Sequence, residues 1–179
     1  MADTQTENVA DTFTLFRKKV TNCATAFRGD YESYPESDNV RPIYLINFKG
    51  SSLEVLQDTD GNTRSVLAGD FESIIRNSAI VRSDNGLSSL KRNGIFTSGW
   101  SFTYLSDKYI WTVSTWNRTW TLKDANDKPI ARFTRSSLKF KKIGVLNIYK
   151  QSDPVFVAII VLTCKLVHNS VKSNERHAQ

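Results

Sequence analysis

The sequence predicts a mainly β protein of the α+β class, in which antiparallel strands close into a barrel around one hydrophobic C-terminal helix. Three observations predict it. Across residues 100–149, aromatic and branched residues alternate with polar ones, as in Trp100, Phe102 and Tyr104 and again in Tyr109, Trp111 and Val113. A period of two marks strands with one buried face. Short strand-like runs recur at close spacing from residue 43 onward, the pattern of a barrel or a sandwich. Residues 155–162 are apolar without a break, and a helix that is apolar all round must be buried on every side. A closed barrel wall supplies that surface.

With 179 residues, 40% of them hydrophobic and 23% charged, the chain is sized and composed for one globular domain. Its two cysteines, Cys23 and Cys164, are too few for a disulfide scaffold; they are expected to be reduced and packed in a core. Cys164 and His168 stand four apart, but two ligands do not make a structural zinc site. No metal and no cofactor is expected. Residues 1–11 are polar and acidic, without a signal-peptide pattern, and Met1-Ala2 lacks the glycine of a myristoylation signal. The expected location is cytoplasmic, with visits to a membrane surface.

Residues 1–12 read as a flexible tail, 13–173 as one domain and 174–179 as a second tail. Residues 13–27 suit either a strand or a short helix, with Arg17-Lys18-Lys19 in the middle. Residues 28–42 form an acidic linker or loop that carries Asp30, Glu32, Glu36 and Asp38 beside Pro35 and Pro42. Residues 43–48 and 53–56 are rich in branched and aromatic side chains, as strands are. Residues 58–62, Asp-Thr-Asp-Gly-Asn, make a hairpin turn. Their glycine falls at the fourth position rather than the sixth that a calcium-binding loop needs. Residues 70–75 read as a short capped helix and 79–82 as a brief strand. All four tryptophans lie within residues 100–120 and are read as packing between neighbouring strands.

Residues 116–123 and 130–134 read as strands around a turn at 124–129, and 144–149 as the last strand. Ser152-Asp153-Pro154 then opens the helix. Ser152 or Asp153 can cap it, and Pro154 suits the first turn, where a missing N–H does no harm. Lys165, His168 and Lys172 make a polar stripe, so the helix is expected to enter a core and emerge at its far end. From 154 to 167 it would span roughly 21 Å, short of the ~30 Å of a hydrocarbon core, which speaks against a membrane span.

Charge is uneven along the chain. Residues 1–90 hold 9 Lys+Arg against 13 Asp+Glu, a net −4, whereas residues 91–150 hold 12 against 3, a net +9. Such a basic segment suggests an anionic partner, either a phosphoinositide-rich membrane or nucleic acid.

In order, the motifs are Phe102-x-Tyr104, Tyr109-x-Trp111, Trp120-Thr121-Leu122-Lys123-Asp124, Ile130-Ala131-Arg132-Phe133, Gly144-Val145-Leu146-Asn147-Ile148 and the apolar helix. Together they resemble the tubby C-terminal-like superfamily, which includes tubby proteins, phospholipid scramblases and LURP-one-related proteins. The pattern is most similar to small fungal tubby-like domains of unknown function. The resemblance covers residues 100–170 well and 43–99 loosely. It implies about twelve strands around a central helix, so strands beyond the nine or ten read directly must come from residues 13–27 and 84–99.

The resemblance also implies lipid recognition. Tubby domains bind phosphoinositides through paired basic residues on the barrel surface. Here Lys139, Lys141 and Lys142, with Arg132 and Arg135, would play that part. On a strand Lys139 and Lys141 point to one side and Phe140 to the other. The cysteine-rich cluster and calcium segment of scramblases have no counterpart, which puts scramblase activity in doubt.

No phosphate loop, zinc-protease motif or nucleophile elbow occurs, and the chain is read as non-enzymatic. The leading reading is a binding module for anionic phospholipid or phosphoinositide headgroups. The alternative is a protein-interaction or regulatory domain without a lipid ligand, whose partner proteins the sequence does not name. Nucleic-acid binding ranks third, because the alternating aromatics favour burial over base stacking.

Overall fold

A computed structural model describes residues 8–18, 23–37, 39–72, 77–94, 99–114, 116–137 and 141–177. Twelve strands precede one helix. They are β1 (Asp11–Arg17), β2 (Ala24–Arg28), β3 (Tyr44–Lys49), β4 (Ser52–Thr59), β5 (Asn62–Phe71) and β6 (Ser78–Ser83). They continue with β7 (Gly86–Arg92), β8 (Trp100–Tyr104), β9 (Asp107–Ser114), β10 (Thr119–Lys123), β11 (Pro129–Arg135) and β12 (Lys142–Ile148), followed by α1 (Pro154–His177). Each strand pairs antiparallel with its neighbour in the chain, and β1 pairs with β12 to close the barrel. Closure leaves no unpaired sheet edge. The two segments expected to hide further strands do hold them: β1 and β2 in the first, β7 in the second.

Because the strands run alternately up and down, all turns fall at two ends. The helix enters at one, the base, and its C-terminal turns leave at the other, the mouth. Helix residues 156–168 are buried without exception. Small side chains on the inner wall, Ala24, Ala26, Ala79 and Ala131, make room for it. Between them stand Trp100, Trp111 and Trp120, each at most 2% exposed. An indole buried this deeply must place its N–H. Trp111 Nε1–H donates to Thr163 Oγ1 at 2.8 Å, and Trp100 Nε1–H to Ser170 Oγ at 2.9 Å. The Thr163 hydroxyl in turn donates to the Ile159 carbonyl at 2.8 Å. At the base, Asp153 Oδ1 accepts from the Phe156 N–H at 3.0 Å and from the Tyr104 hydroxyl at 2.9 Å, so one carboxylate both caps the helix and ties it to β8.

Turn chemistry fixes the hairpins. Asp60 and Gly61 both have positive φ, and Gly61 N–H donates to Asp58 Oδ1 at 2.8 Å, so residues 58–62 are the expected tight turn. Gly144 on β12 allows a close approach, since a methyl group there would overlap the Phe133 ring and the Thr134 carbonyl.

The acidic stretch after β2 is a strap laid on the outside of the barrel. Tyr31 N–H donates to Thr14 Oγ1 at 2.9 Å, and that hydroxyl donates to the Gly29 carbonyl at 2.7 Å. Phe16 and Phe27 point outward, and Tyr34 covers them edge-on at centroid distances of 5.4 and 5.3 Å.

Several elements differ from expectation. Asp70 and Phe71 end β5 rather than opening a helix, because β5 pairs with β6 up to Phe71↔Ala79; residues 73–76 lie outside the described residues. Residues 116–118 are a turn, so β10 starts only at Thr119. Trp116 is 96% exposed and packs between no strands. The helix continues to His177, beyond the expected domain limit at 173, because polar helix formers extend it past the apolar run. It is therefore long and apolar enough, by length and composition alone, to cross a membrane, yet most of that stretch is buried inside the barrel. Lys165 and His168 do not emerge: each is only 4% exposed.

Thr163→Val should leave the Trp111 N–H buried without an acceptor and cost about 1–3 kcal/mol of unfolding free energy. Thr163→Ser, which keeps the hydroxyl, should cost distinctly less. Urea denaturation of both variants checks this, and equal losses would show that packing rather than the hydrogen bond matters.

Candidate functional site: the cationic mouth

The structure does not gather the five sequence-selected basic residues into one face. Arg132 is exposed on the outer face of β11. Arg135, on the inward side of the same strand, forms a bidentate ion pair with Glu175 near the helix C-terminus. Lys142 has a side chain only 9% exposed and contacts Asp30 of the strap at 3.1 Å. Lys141 lies over the Tyr34 ring at 5.7 Å. Lys139 lies outside the described residues. A groove of about 910 Å³ runs between strap and barrel, but Glu32 and Glu36 line it together with Lys141 and Lys142. Lys141 and Lys142 are thus matched by the acidic strap folded against them.

A different cluster forms at the mouth. A cleft of about 590 Å³ opens between α1 and the rims of β1, β3, β5, β7 and β8. Arg17, Arg92, Lys165, Lys172 and Arg176 line it with His168, Asn169, Ser170 and Ser173, and among the described residues no carboxylate lines it. Phe48, Phe71 and Trp100 form an aromatic wall. The alternation of β1 explains how Arg17 arrives there: Phe13 and Leu15 face inward, so Arg17 follows them onto the inner side at the rim. On the helix, Lys165, His168 and Lys172 recur at i, i+3 and i+7, which holds them on one face.

Positive charges crowd this end of the barrel and depress one another. Burial, and then the positive charges of Arg17 and Lys172, push Lys165 down to about 8. Its ammonium donates to a neutral partner, Asn169 Oδ1, at 2.8 Å. Lys172 is also lowered, by burial first and then by Arg17, Arg176 and Arg135. His168 is driven down to about 2 by burial and by the neighbouring cations, Lys165 foremost. Both of its ring nitrogens are buried without a hydrogen-bond partner among the described residues. Mutually depressed cations and a buried imidazole without a hydrogen-bond partner among the described residues mark this cleft as a candidate functional site.

Sequence reasoning passed over this site. Its signals, the Arg17-Lys18-Lys19 run and the Lys165/His168/Lys172 stripe, were visible, but the stripe reads as a helix emerging into water. Only closure of the barrel brings residue 17 to residues 165–176. Both cysteines are buried free thiols, and no metal-binding group of His, Cys, Asp and Glu occurs among the described residues.

No protein-family model and no curated protein matches the chain. Among solved structures, the X-ray structure of the Arabidopsis thaliana protein AT5G01750 is similar, with a TM-score of 0.58 and 15% identity over 90% of this chain and 91% of that one. The likeness spans nearly the whole of both chains and, at this identity, speaks for the fold alone.

The His168 shift has a stability consequence with a definite sign. The folded protein takes up no proton there until about pH 2, whereas the unfolded chain takes one up near 6.5. Stability therefore falls as pH drops below 6.5, by roughly 1.4 kcal/mol per unit from this group. His168→Leu should remove that component, so that its stability relative to wild type improves by roughly 2–3 kcal/mol between pH 6.5 and 4.5. Parallel pH profiles for the two proteins in urea titrations would refute the assignment.

Proposed function

We propose that this chain is a non-enzymatic binding module that receives an anionic phospholipid headgroup, phosphoinositides foremost, at the cationic mouth of its barrel. The observation that carries the reading is the cleft itself, where Arg17, Lys165, Lys172 and Arg176 converge on an imidazole that has no hydrogen-bond partner among the described residues, with no carboxylate among the described lining residues. Lys165, at about 8, is mostly protonated at neutral pH and, though buried beneath the cleft, is held by a neutral amide rather than by a carboxylate, so a phosphate reaching it would supply the countercharge. Arg17, Lys172 and Arg176 surround it, and guanidinium groups suit the geometry of phosphate oxygens. His168, neutral at physiological pH, is a poor general base there but can donate one ring N–H to an oxygen acceptor. The resemblance to tubby-like domains supports the same reading. The site proposed is the mouth rather than the outer lysines, since Lys142 and Lys141 already have partners in Asp30 and Tyr34.

Co-sedimentation with vesicles tests this. Wild type should bind phosphoinositide-containing vesicles, bind neutral ones far less, and lose affinity as salt rises. Lys172→Gln/Arg176→Gln should weaken binding by about 2 kcal/mol, roughly thirtyfold, at about 1 kcal/mol for each cation near the surface. Lys141→Gln/Lys142→Gln should weaken it less. Equal retention on neutral vesicles, or no binding to either, would overturn the proposal and leave a protein-interaction role. Affinity should also fall between pH 7 and 9, as Lys165 loses its proton near 8. A flat profile there would remove Lys165 from the site.

A further inference from the structure

We infer that the mouth is the bilayer-facing end of the molecule and that Trp116, in the turn between β9 and β10, is its interfacial anchor on an anionic membrane. The inference rests on the headgroup reading above and adds an orientation and an apolar contact to it. Trp116 is 96% exposed, whereas Trp100, Trp111 and Trp120 are at most 2% exposed. Nothing in the barrel uses the Trp116 indole. It belongs to a three-residue turn, Trp116-Asn117-Arg118, in which Arg118 has a φ of 51°. This turn lies at the same end of the barrel as Arg17, Lys172 and Arg176, across the emerging helix from the cationic cleft.

An exposed indole beside a cationic rim matches one partner in particular. Indole rings settle at the headgroup level of bilayers, and an anionic leaflet attracts the cations around it. The base is poorly suited to that role. Its exposed Leu87 and Leu105 sit beside Asp84 and Asp107 as well as Arg82 and Lys108, so opposite charges alternate around them and no cationic rim forms. Charge and exposed aromatic area therefore select the same end. In this orientation the helix C-terminus faces the membrane, and a headgroup can enter the cleft while the indole lies beside it.

The buried indoles make the test direct, because Trp116 is the exposed tryptophan among the described residues. Full-length protein is mixed with vesicles of phosphatidylcholine, phosphatidylserine and a phosphoinositide, with and without brominated acyl chains, and tryptophan emission is recorded alongside co-sedimentation. Binding should shift the emission to the blue, and bromines should quench it. Both responses should vanish in Trp116→Phe, whose fold should be unaffected because the side chain is 96% exposed. Trp116→Ala should need several-fold more lipid for half-binding, whereas Leu105→Ala should need no more than wild type. Sedimentation with unshifted, unquenched emission would overturn the orientation while leaving headgroup binding intact. A quenched Trp116 whose loss leaves binding unaltered would overturn the anchoring role. Absence of sedimentation on acidic vesicles would remove the headgroup reading and this inference with it.

Discussion

Everything in this fold depends on one requirement: a helix with eight consecutive apolar residues needs an apolar wall on all sides. A single sheet face or a helical neighbour covers only part of such a surface. A closed barrel covers all of it and leaves no strand edge exposed. The details of the wall follow from this. Alanines on the inner face let the helix approach, and indoles fill the remaining space. Each inward indole dipole then needs a partner, which is why Thr163 and Ser170 interrupt an otherwise apolar helix surface. The polar atoms inside the barrel therefore act as register marks as much as contributors to stability. Thr163 meets Trp111 and Ser170 meets Trp100 only if the helix sits at one height and one rotation.

The same requirement sets up the cationic mouth. The apolar run is shorter than the barrel is deep, so the helix carries Lys165 and His168 into the interior before it reaches water. A lysine buried beside two other cations opposes folding unless something offsets it. Arg135 has its offset in Glu175, but Lys165 has only an amide. A core under selection for stability alone would place an apolar residue at such a position. A depressed lysine, a histidine without a hydrogen-bond partner among the described residues and the neighbouring cations are a cost that the packing of the described residues does not offset.

How much of this was legible in the sequence divides along the difference between local and spatial patterns. Strand alternation, the Asp-Gly turn, the proline-led helix start and the all-apolar run are local, and each survives into the structure. The further strands at 13–27 and 84–99 were not legible locally; they were expected only because the tubby-like resemblance implies about twelve strands. The site was not readable, because its cations come from β1, β7 and the helix. Charge tallied along the chain misled for a related reason: strands run up and down, so every segment contributes to both ends of the barrel. The +9 segment places Lys142 against acidic Asp30 and Arg135 against Glu175, so part of its excess is balanced by acids from elsewhere in the chain. The asymmetry that persists runs along the barrel axis. Asp60, Asp84, Asp124 and Asp127 lie in turns at the base, together with Lys128, while Arg17, Lys18, Lys49, Arg118 and Lys141 ring the mouth.

By length and composition the helix is long and apolar enough to cross a bilayer, so composition alone does not decide between membrane and barrel. The position of its polar groups does. Lys165 falls near the middle of the 24-residue helix, where a bilayer would charge about 2.5–3.5 kcal/mol for a lysine. Inside the barrel that ammonium instead reaches Asn169 and the open cleft. Drawing the helix out would also strip Trp111 and Trp100 of their acceptors and leave an emptied barrel lined with aromatic side chains. A membrane span favours polar residues at its ends and an uninterrupted middle. This helix has its longest apolar run at the buried start and its charges from the midpoint onward, which is the order needed for a core segment that ends at a cationic opening.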